Sequence, residues 1–198
     1  MAWWNPFQKS REQTASGSAS PPRPASKDLE ARLLRERTIL LGTPINDEVA
    51  QRVVAQLLFL ESENPTEGIR LYLNSPGGEV TAALAICDTL ELVKPAVSTV
   101  CVGQCSGIAA LLFALGERGQ RVALTHSHFM LTPLTGGGRP GDASAMMRMR
   151  KVFSERLAHA TGQTVAQIQL DCDAQRRLSA SEAKHYGLVD QILDKTQL

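Results

Sequence analysis

The sequence has almost no excess of charge of either sign, because 20 Asp and Glu residues offset 21 Lys and Arg residues. A strongly basic surface attracts nucleic acid and anionic membranes. The near-zero net charge of this chain therefore does not indicate binding to either. The chain also has no apolar run long enough to span a bilayer, and its first residues contain no apolar stretch of signal-peptide length. These absences predict a cytoplasmic protein that binds neither nucleic acid nor a membrane.

The four cysteines, at positions 87, 101, 105 and 172, form no CxxC pair, and each lies in an apolar segment. Cysteines in this pattern are typical of small core residues in a reducing compartment, and neither a disulfide framework nor a zinc site is predicted. The sequence also contains no internal repeat of useful period.

What the chain does have is enough apolar material for one core, since 43% of its 198 residues are hydrophobic. Residues 1–26 differ from the rest, because the stretch from Thr14 to Ser26 is small, polar and rich in proline. Such a segment cannot bury enough surface to offset its ordering entropy, which predicts a disordered tail or propeptide ahead of one domain at 27–198. Trp3, Trp4 and Phe7 are consistent with a docking motif or simply with an aromatic-bearing chain end.

From Lys27 onward, segments typical of strands alternate with segments typical of helices. The predicted strands cover 38–41, 69–73, 97–102, 121–124, 129–131 and 188–193. The predicted helices cover 47–60, 81–93, 106–115, 142–160 and 165–172, and one more begins after Ser179. Repeated strand–helix–strand crossovers predict an α/β fold with a mostly parallel sheet.

Particular residues mark the boundaries of these segments. Asn46 is a predicted N-cap, and Ser179 with Glu182 forms a predicted capping box. Gly103 is expected to end the third strand, and Ser106 to cap the buried helix that follows.

Two glycine-rich turns follow predicted strands, at 74–78 (Asn-Ser-Pro-Gly-Gly) and at 103–107 (Gly-Gln-Cys-Ser-Gly). Turns of this kind let the backbone approach a ligand closely, and together they could form an oxyanion hole beside a nucleophile. Taken alone, each turn is a weak signal, because glycine-rich turns between a strand and a helix are mostly plain connectors.

Ser106 is the candidate nucleophile that the residue types suggest first. Its candidate bases are His126 and His128, and its candidate orienting carboxylates are Asp171 and Asp173. In the alternative interpretation Ser106 is a helix cap, the histidines flank a strand and the aspartates face solvent.

A set of motifs identifies a family. They are Asn74–Gly78, Asp88-Thr89, Lys94-Pro95, Val97–Thr99, Gly103-Gln104, Leu178–Ala180, Glu182-Ala183 and Tyr186–Asp190. In sequence and spacing they closely resemble the proteolytic subunit of the Clp protease, from about residue 29 to residue 193. The resemblance implies the repeated β-β-α spiral of the ClpP/crotonase-like fold in a single domain. It also implies an ATP-dependent serine peptidase whose Ser-His-Asp triad lies inside two stacked seven-membered rings.

The resemblance places a different residue at each triad position. The nucleophile position is Gly107, the histidine position is Thr132 and the aspartate position is Gln175. Glycine has no side chain, threonine is a poor proton acceptor and glutamine carries no negative charge.

A triad shifted along the chain is disfavoured by distance. Ser106 lies ~3.8 Å from the nucleophile position, His128 about 13 Å along the strand from Thr132, and Asp171 roughly 6 Å of helix rise from Gln175. Catalytic geometry tolerates errors on the order of 1 Å, and these three displacements share no direction.

The resemblance preserves other parts of the family pattern. It implies an oxyanion-hole remnant at the backbone N–H groups of Gly78 and Ile108, and a handle made of the glycines at 136–138 and the following long helix. The chain is therefore similar to the non-catalytic, ClpR-type members of the family. Its implied partners are itself or an active Clp proteolytic subunit, a Clp-type AAA+ ATPase that uses the ATP, and polypeptide substrates, with no cofactor of its own.

The amino-terminal segment differs from the family, which carries a pore-lining axial loop ahead of its first helix, so ATPase docking is left open. Two alternative functions also stay open: an active endopeptidase that uses Ser106, and an acyl-CoA enzyme on the same fold.

Overall fold

The computed structural model describes residues 26–134 and 143–194. The strands of this part of the chain are β1 (Thr38–Leu41), β2 (Ile69–Ser75), β3 (Val97–Ser106), β4 (Arg121–Leu124), β5 (His128–Met130), β6 (Arg177–Ser179) and β7 (Gln191–Leu193). Its helices are α1 (Ser26–Arg35), α2 (Asp47–Glu63), α3 (Val80–Leu92), α4 (Ile108–Ala114), α5 (Ala143–Thr161), α6 (Val165–Asp173) and α7 (Ala180–Tyr186).

The strands form one mixed sheet, in which β1, β2, β3, β4 and β7 are parallel neighbours in that order. The carboxyl half of β3 also pairs in parallel with β5, and β5 pairs antiparallel with β6. The prediction of a single α/β domain with a mostly parallel sheet is confirmed.

The core lies between one face of this sheet and the helices packed against it. Leu41, Leu73, Cys101 and Ala123 occupy the same register row on neighbouring strands, and all four are fully buried. α4 is apolar along its whole length and entirely buried, so it forms the centre of the core.

The structure confirms the capping residues predicted for the starts of α2 and α7. The side chain of Asn46 accepts a hydrogen bond from the backbone N–H of Val49, at 2.9 Å, at the start of α2. Ser179 and Glu182 form the reciprocal capping box of α7. Each of these caps is formed by residues only three positions apart in the chain, so the sequence alone is enough to predict it.

Two predictions around the third strand are wrong. Gly103 does not end β3, which continues to Ser106 because its last residues pair with β5. Ser106 is consequently the last strand residue and not a helix cap, and Gly107 occupies the cap position of α4 without any side-chain hydrogen bond. The strand β6 was also absent from the predicted segments.

The long helix predicted over 142–160 is confirmed as α5. The glycines at 136–138, assigned to the handle with this helix, lie outside the described residues, as does the amino-terminal segment 1–25. The four cysteines are all buried and unpaired, as predicted. Within residues 26–134 and 143–194, no helix is both long and apolar enough to cross a membrane.

Candidate functional site

The two glycine-rich turns meet at the carboxyl ends of β2 and β3. A Cβ atom on Gly77, in the first turn, would lie only 2.9 Å from the backbone carbonyl oxygen of Ser106, in the second. The hydroxyl of Ser75 donates to the Gly77 carbonyl and accepts from the Gly77 N–H, which fixes the first turn internally. The turns therefore form one unit in which side chains larger than hydrogen do not fit between the backbones.

Gly78 is held from the opposite side by the segment ahead of α2. The N–H of Ile45 donates to the Gly77 carbonyl and the N–H of Glu79 donates to the Ile45 carbonyl, both at 2.9 Å. In a parallel bridge of this type the residue between the two bonded neighbours directs its own N–H away from the partner strand. The N–H of Gly78 is therefore directed away from Ile45, and a Cβ at this position would overlap the Ile45 carbonyl oxygen.

Gly107 and Thr132 face each other directly. Gly107 has φ +54° and ψ −124° at the strand-to-helix turn, and its N–H donates to the Met130 carbonyl at 2.8 Å. A Cβ atom on Gly107 would lie 2.8 Å from Oγ1 of Thr132. A sharp, strained turn from strand to helix is the backbone feature on which several hydrolases carry a nucleophile. Here the turn is present, but it carries no side chain.

A small pocket of about 90 Å³ lies where these elements meet. It is lined by both glycine turns and by Thr132, and Ile108, the first residue of α4, contributes to the wall. The first N–H groups of a helix have no acceptor within that helix, which applies to the amide of Ile108 at the start of α4. Gly78 lines the same cavity. A cavity of this size and lining has room for a single carbonyl group or for water.

Gln175 lies in the turn between α6 and β6, is exposed and has φ +50°. The backbone carbonyl of Arg176 accepts a hydrogen bond from the N–H of Leu131, at 2.9 Å, so this turn is attached to the residue that precedes Thr132. Gln175 itself does not line the small pocket. The structure therefore brings Gly107 and Thr132 into contact, with Gln175 on an adjoining turn.

The residues proposed for a shifted triad do not come together. Ser106 is 2% exposed and is paired with Met130, whereas His128 is exposed and is paired with Gln104, two strand positions away. His126 is likewise exposed. Neither histidine is therefore placed to act on Ser106 as a base.

The other two candidates of that arrangement have different surroundings. Asp173 is exposed at the end of α6. Asp171 is buried and accepts hydrogen bonds from the hydroxyl of Tyr186, at 2.6 Å, and from Gln167 and Arg176, at 3.1 Å each. Burial raises the pKa of the Asp171 carboxyl, but these three hydrogen bonds outweigh it and leave the pKa below its ordinary value.

This cluster around Asp171 is the part of the site that sequence reasoning missed. Arg176 also stacks over the Tyr186 ring, 5.1 Å from its centre, and its backbone N–H donates to the Asp171 carbonyl. The cluster thereby fixes the turn that carries Gln175. No local sequence pattern indicates this cluster, because Tyr186 lies on α7, fifteen residues beyond Asp171.

A sequence model of the Clp protease family matches residues 22–196. Because the match covers most of the chain, the protein belongs to the Clp protease family, and the mixed α/β domain is consistent with the fold of that family. Membership assigns the chain to the Clp-type proteolytic subunits and to a peptidase class of protein. In the described part of the chain, no group of three or more His, Cys, Asp or Glu side chains is placed to hold a metal ion.

Proposed function

We propose that this chain is a non-catalytic, ClpR-type subunit of an ATP-dependent Clp protease complex in the cytoplasm. It occupies positions in a seven-membered ring, alone or beside an active proteolytic subunit, and changes the number of active sites in the chamber. In this proposal, residues 27–198 form the Clp-type unit and residues 1–26 a separate tail.

The observation that carries the proposal is the contact between Gly107 and Thr132. The turn geometry and the neighbouring glycine turn are those of a site built around a nucleophile, yet position 107 has no side chain and only a hydroxyl faces it. Peptide hydrolysis by this route needs a nucleophile with a base at hydrogen-bond distance. The pair offers only the Thr132 hydroxyl, which is too poor a proton acceptor to serve as the base, and Gln175 brings no charge that could orient one.

The two backbone N–H donors support a role for this site in binding a polypeptide without cleaving it. The amides of Gly78 and Ile108 border the small pocket and would bind the carbonyl oxygen of an extended polypeptide. Without a nucleophile within reach, the bound peptide stays intact. The ring then contributes binding sites to the chamber without contributing cleavage.

Apolar side chains on the surface support assembly with other subunits. Leu92 is 72% exposed at the end of α3, and Leu170 is 65% exposed on α6. Members of the family work as stacked rings with a Clp-type ATPase, so we infer that this chain packs against copies of itself or an active relative. The ATPase partner hydrolyses the ATP, and the chain itself uses no cofactor.

Peptidase activity separates this function from its alternatives. The purified chain is expected to leave a small fluorogenic peptide uncleaved, alone and with the ATPase and ATP. The matched variant is the triple substitution Gly107→Ser, Thr132→His and Gln175→Asp, which restores the three side chains and is expected to give measurable cleavage. Cleavage by the unaltered chain that disappears in Ser106→Ala would instead establish Ser106 as a nucleophile.

Assembly is tested by native mass spectrometry of the chain mixed with an active Clp proteolytic subunit from the same organism. The proposal predicts seven-membered rings, formed by this chain alone or together with its relative. A chain that stays monomeric in the presence of its relative would contradict the ring role.

A further inference from the structure

Two of the four buried cysteines lie on β3, next to the glycine-rich turns. Cys101 is paired with Leu73 of β2. Cys105 follows four positions later on β3, yet its partner, Ser75, follows only two positions later on β2. Three residues of β3, at 102–104, therefore lie opposite a single residue of β2, which makes this part of the strand a bulge.

The bulge brings the two cysteine side chains side by side. Leu73 and Ser75 are two positions apart on a strand, so they share a face of the sheet, and the residues paired with them share it too. The Cα atoms of Cys101 and Cys105 are consequently separated by roughly 6.5 Å, the rise of two strand residues, instead of about 13 Å for four. Disulfides usually join Cα atoms about 4.4–6.8 Å apart, so this separation is within reach of one.

The two thiols also interact in the reduced protein. Both side chains are fully buried. Burial raises the pKa of the Cys105 thiol well above its ordinary value, and a hydrogen bond between this thiol and Cys101 raises it further. The remaining cysteines lie on other elements, Cys87 on α3 and Cys172 on α6. Of the four cysteines, Cys101 and Cys105 are therefore the two that one strand places in contact.

We propose that Cys101 and Cys105 form a reversible disulfide on reaction with hydrogen peroxide. One thiol attacks the peroxide, so that an S–O bond forms, the O–O bond breaks, and a sulfenic acid and one water molecule result. The second thiol then displaces the hydroxyl group as a second water molecule, and the S–S bond forms. The two sulfur atoms together lose the two electrons that the peroxide gains, and a dithiol reductant reverses the reaction.

The reduced pair is the resting state of this device. A thiolate is the attacking species, and burial disfavours it, so the closed structure protects both thiols in a reducing compartment. Reaction requires local opening at the carboxyl end of β3, where the neighbouring strand β5 has only three residues. We therefore expect slow oxidation that follows sustained exposure to peroxide.

The disulfide acts on the backbone of both glycine-rich turns. The side-chain oxygen of Asn74, the first residue of one turn, accepts a hydrogen bond from the N–H of Gln104 in the bulge, at 3.3 Å. Closing the disulfide shortens the Cα separation towards about 5.5–6 Å, so the bulge and the turn that carries Gly107 shift together. The cross-link also joins the two ends of the bulge and restricts its opening. Oxidation thereby alters the small pocket, whatever that pocket binds.

The number of free thiols tests the proposal. The full chain is treated with peroxide in the absence of denaturant, quenched with catalase, unfolded, alkylated and weighed. Labelled thiols should fall from four to two, and a dithiol should restore all four. Peptide mapping should place the disulfide between residues 101 and 105, and the oxidised protein should still unfold cooperatively in urea because the cross-link fits the native fold.

Substitutions of single cysteines provide the controls. Cys87→Ala and Cys172→Ala each remove a buried cysteine outside the pair, and each variant should still form the disulfide. Cys101→Ala and Cys105→Ala should form no intramolecular disulfide. The proposal is overturned if all four thiols of the unaltered chain remain free, if they are oxidised to sulfinic acids instead, or if Cys87 or Cys172 takes part in the disulfide. Loss of cooperative unfolding would also overturn it, because the cross-link would then not fit the folded chain.

Hydrogen exchange tests the effect of the disulfide on the turn. Backbone amides of residues 102–110 should exchange several-fold more slowly in the oxidised protein, whereas those of α2 should be unchanged. Equal exchange of residues 102–110 in the two forms would contradict the regulatory role. Neither measurement depends on peptide binding or cleavage, so the outcome is independent of the function proposed above.

Discussion

From the backbone conformation of Gly107 we predict how much the addition of one carbon atom lowers the free energy of unfolding. In Gly107→Ala the new residue keeps φ +54° and ψ −124°, and its Cβ lies 2.8 Å from Oγ1 of Thr132. A side chain in such a sparsely populated region costs about 1–3 kcal/mol, and moving the Thr132 hydroxyl off its rotamer costs about 0.5–1.5 kcal/mol more. We expect Gly107→Ala to lower the free energy of unfolding by roughly 1.5–4.5 kcal/mol, the sum of these two costs.

The two contributions separate in a double-mutant cycle. Thr132→Ala removes the hydroxyl that the new Cβ meets, so it should recover about 0.5–1.5 kcal/mol in the Gly107→Ala background while the backbone cost remains. Gly162→Ala is the control, since Gly162 has φ +77° with no atom within 4 Å of an added Cβ. That control should cost only about 1–2 kcal/mol.

The assay is urea unfolding at one fixed chain concentration, because assembly would make the midpoint depend on concentration. A change below ~0.5 kcal/mol in Gly107→Ala would refute the reasoning, because a backbone with negative φ carries no such cost. Equal effects of Gly107→Ala with and without Thr132→Ala would refute the contact between the two positions.

Three further predictions concern the polar contacts that hold the domain around this site. Asp171→Asn should lower the free energy of unfolding by about 2–3 kcal/mol at pH 7. Because hydrogen bonds outweigh burial and lower the pKa of this carboxyl, its stabilisation is complete above about pH 4 and is lost as the pH falls further. The difference between the two proteins in urea titrations should therefore shrink at about pH 3, and an equal difference at both pH values would contradict this. Asp190→Asn should cost about 3–5 kcal/mol by thermal or urea unfolding, because Arg121, paired with Asp190, is buried and loses its counter-charge. A loss under ~1 kcal/mol would show the pair to be solvated. Ser179→Ala should cost about 1 kcal/mol as the capping box of α7 is lost, and an unchanged urea midpoint would contradict this.

Local signals predicted most of the fold correctly. The helical spacing of apolar residues after Asn46 and the capping box at Ser179 are each contained within a few positions, and the structure reproduces both. The errors arise where pairing with a segment distant in the sequence determines where an element ends. Gly103 reads locally as a strand end, but pairing of the following residues with β5 carries β3 on to Ser106.

The same distinction between local signals and long-range contacts applies to the candidate site. The resemblance to the Clp family named Gly107 and Thr132 as triad positions, and the structure brings them together at the small pocket. The spacing could not reveal that Gln175 lies on a turn fixed by the cluster of Asp171, Arg176 and Tyr186, because those contacts join α6 to α7 across the fold. Nor could it show that Ser106 lies in a strand beside Met130, which only the pairing with β5 determines.

The central claim is that this Clp-family chain has no nucleophile of its own, and covalent labelling tests it most directly. Three proteins are each treated with a fluorophosphonate and weighed by intact mass spectrometry: the unaltered chain, its Ser106→Ala variant, and the triple variant that combines Gly107→Ser, Thr132→His and Gln175→Asp. The account predicts no added mass on the first two proteins and one label on the triple variant. A label on the unaltered chain that Ser106→Ala removes would contradict it.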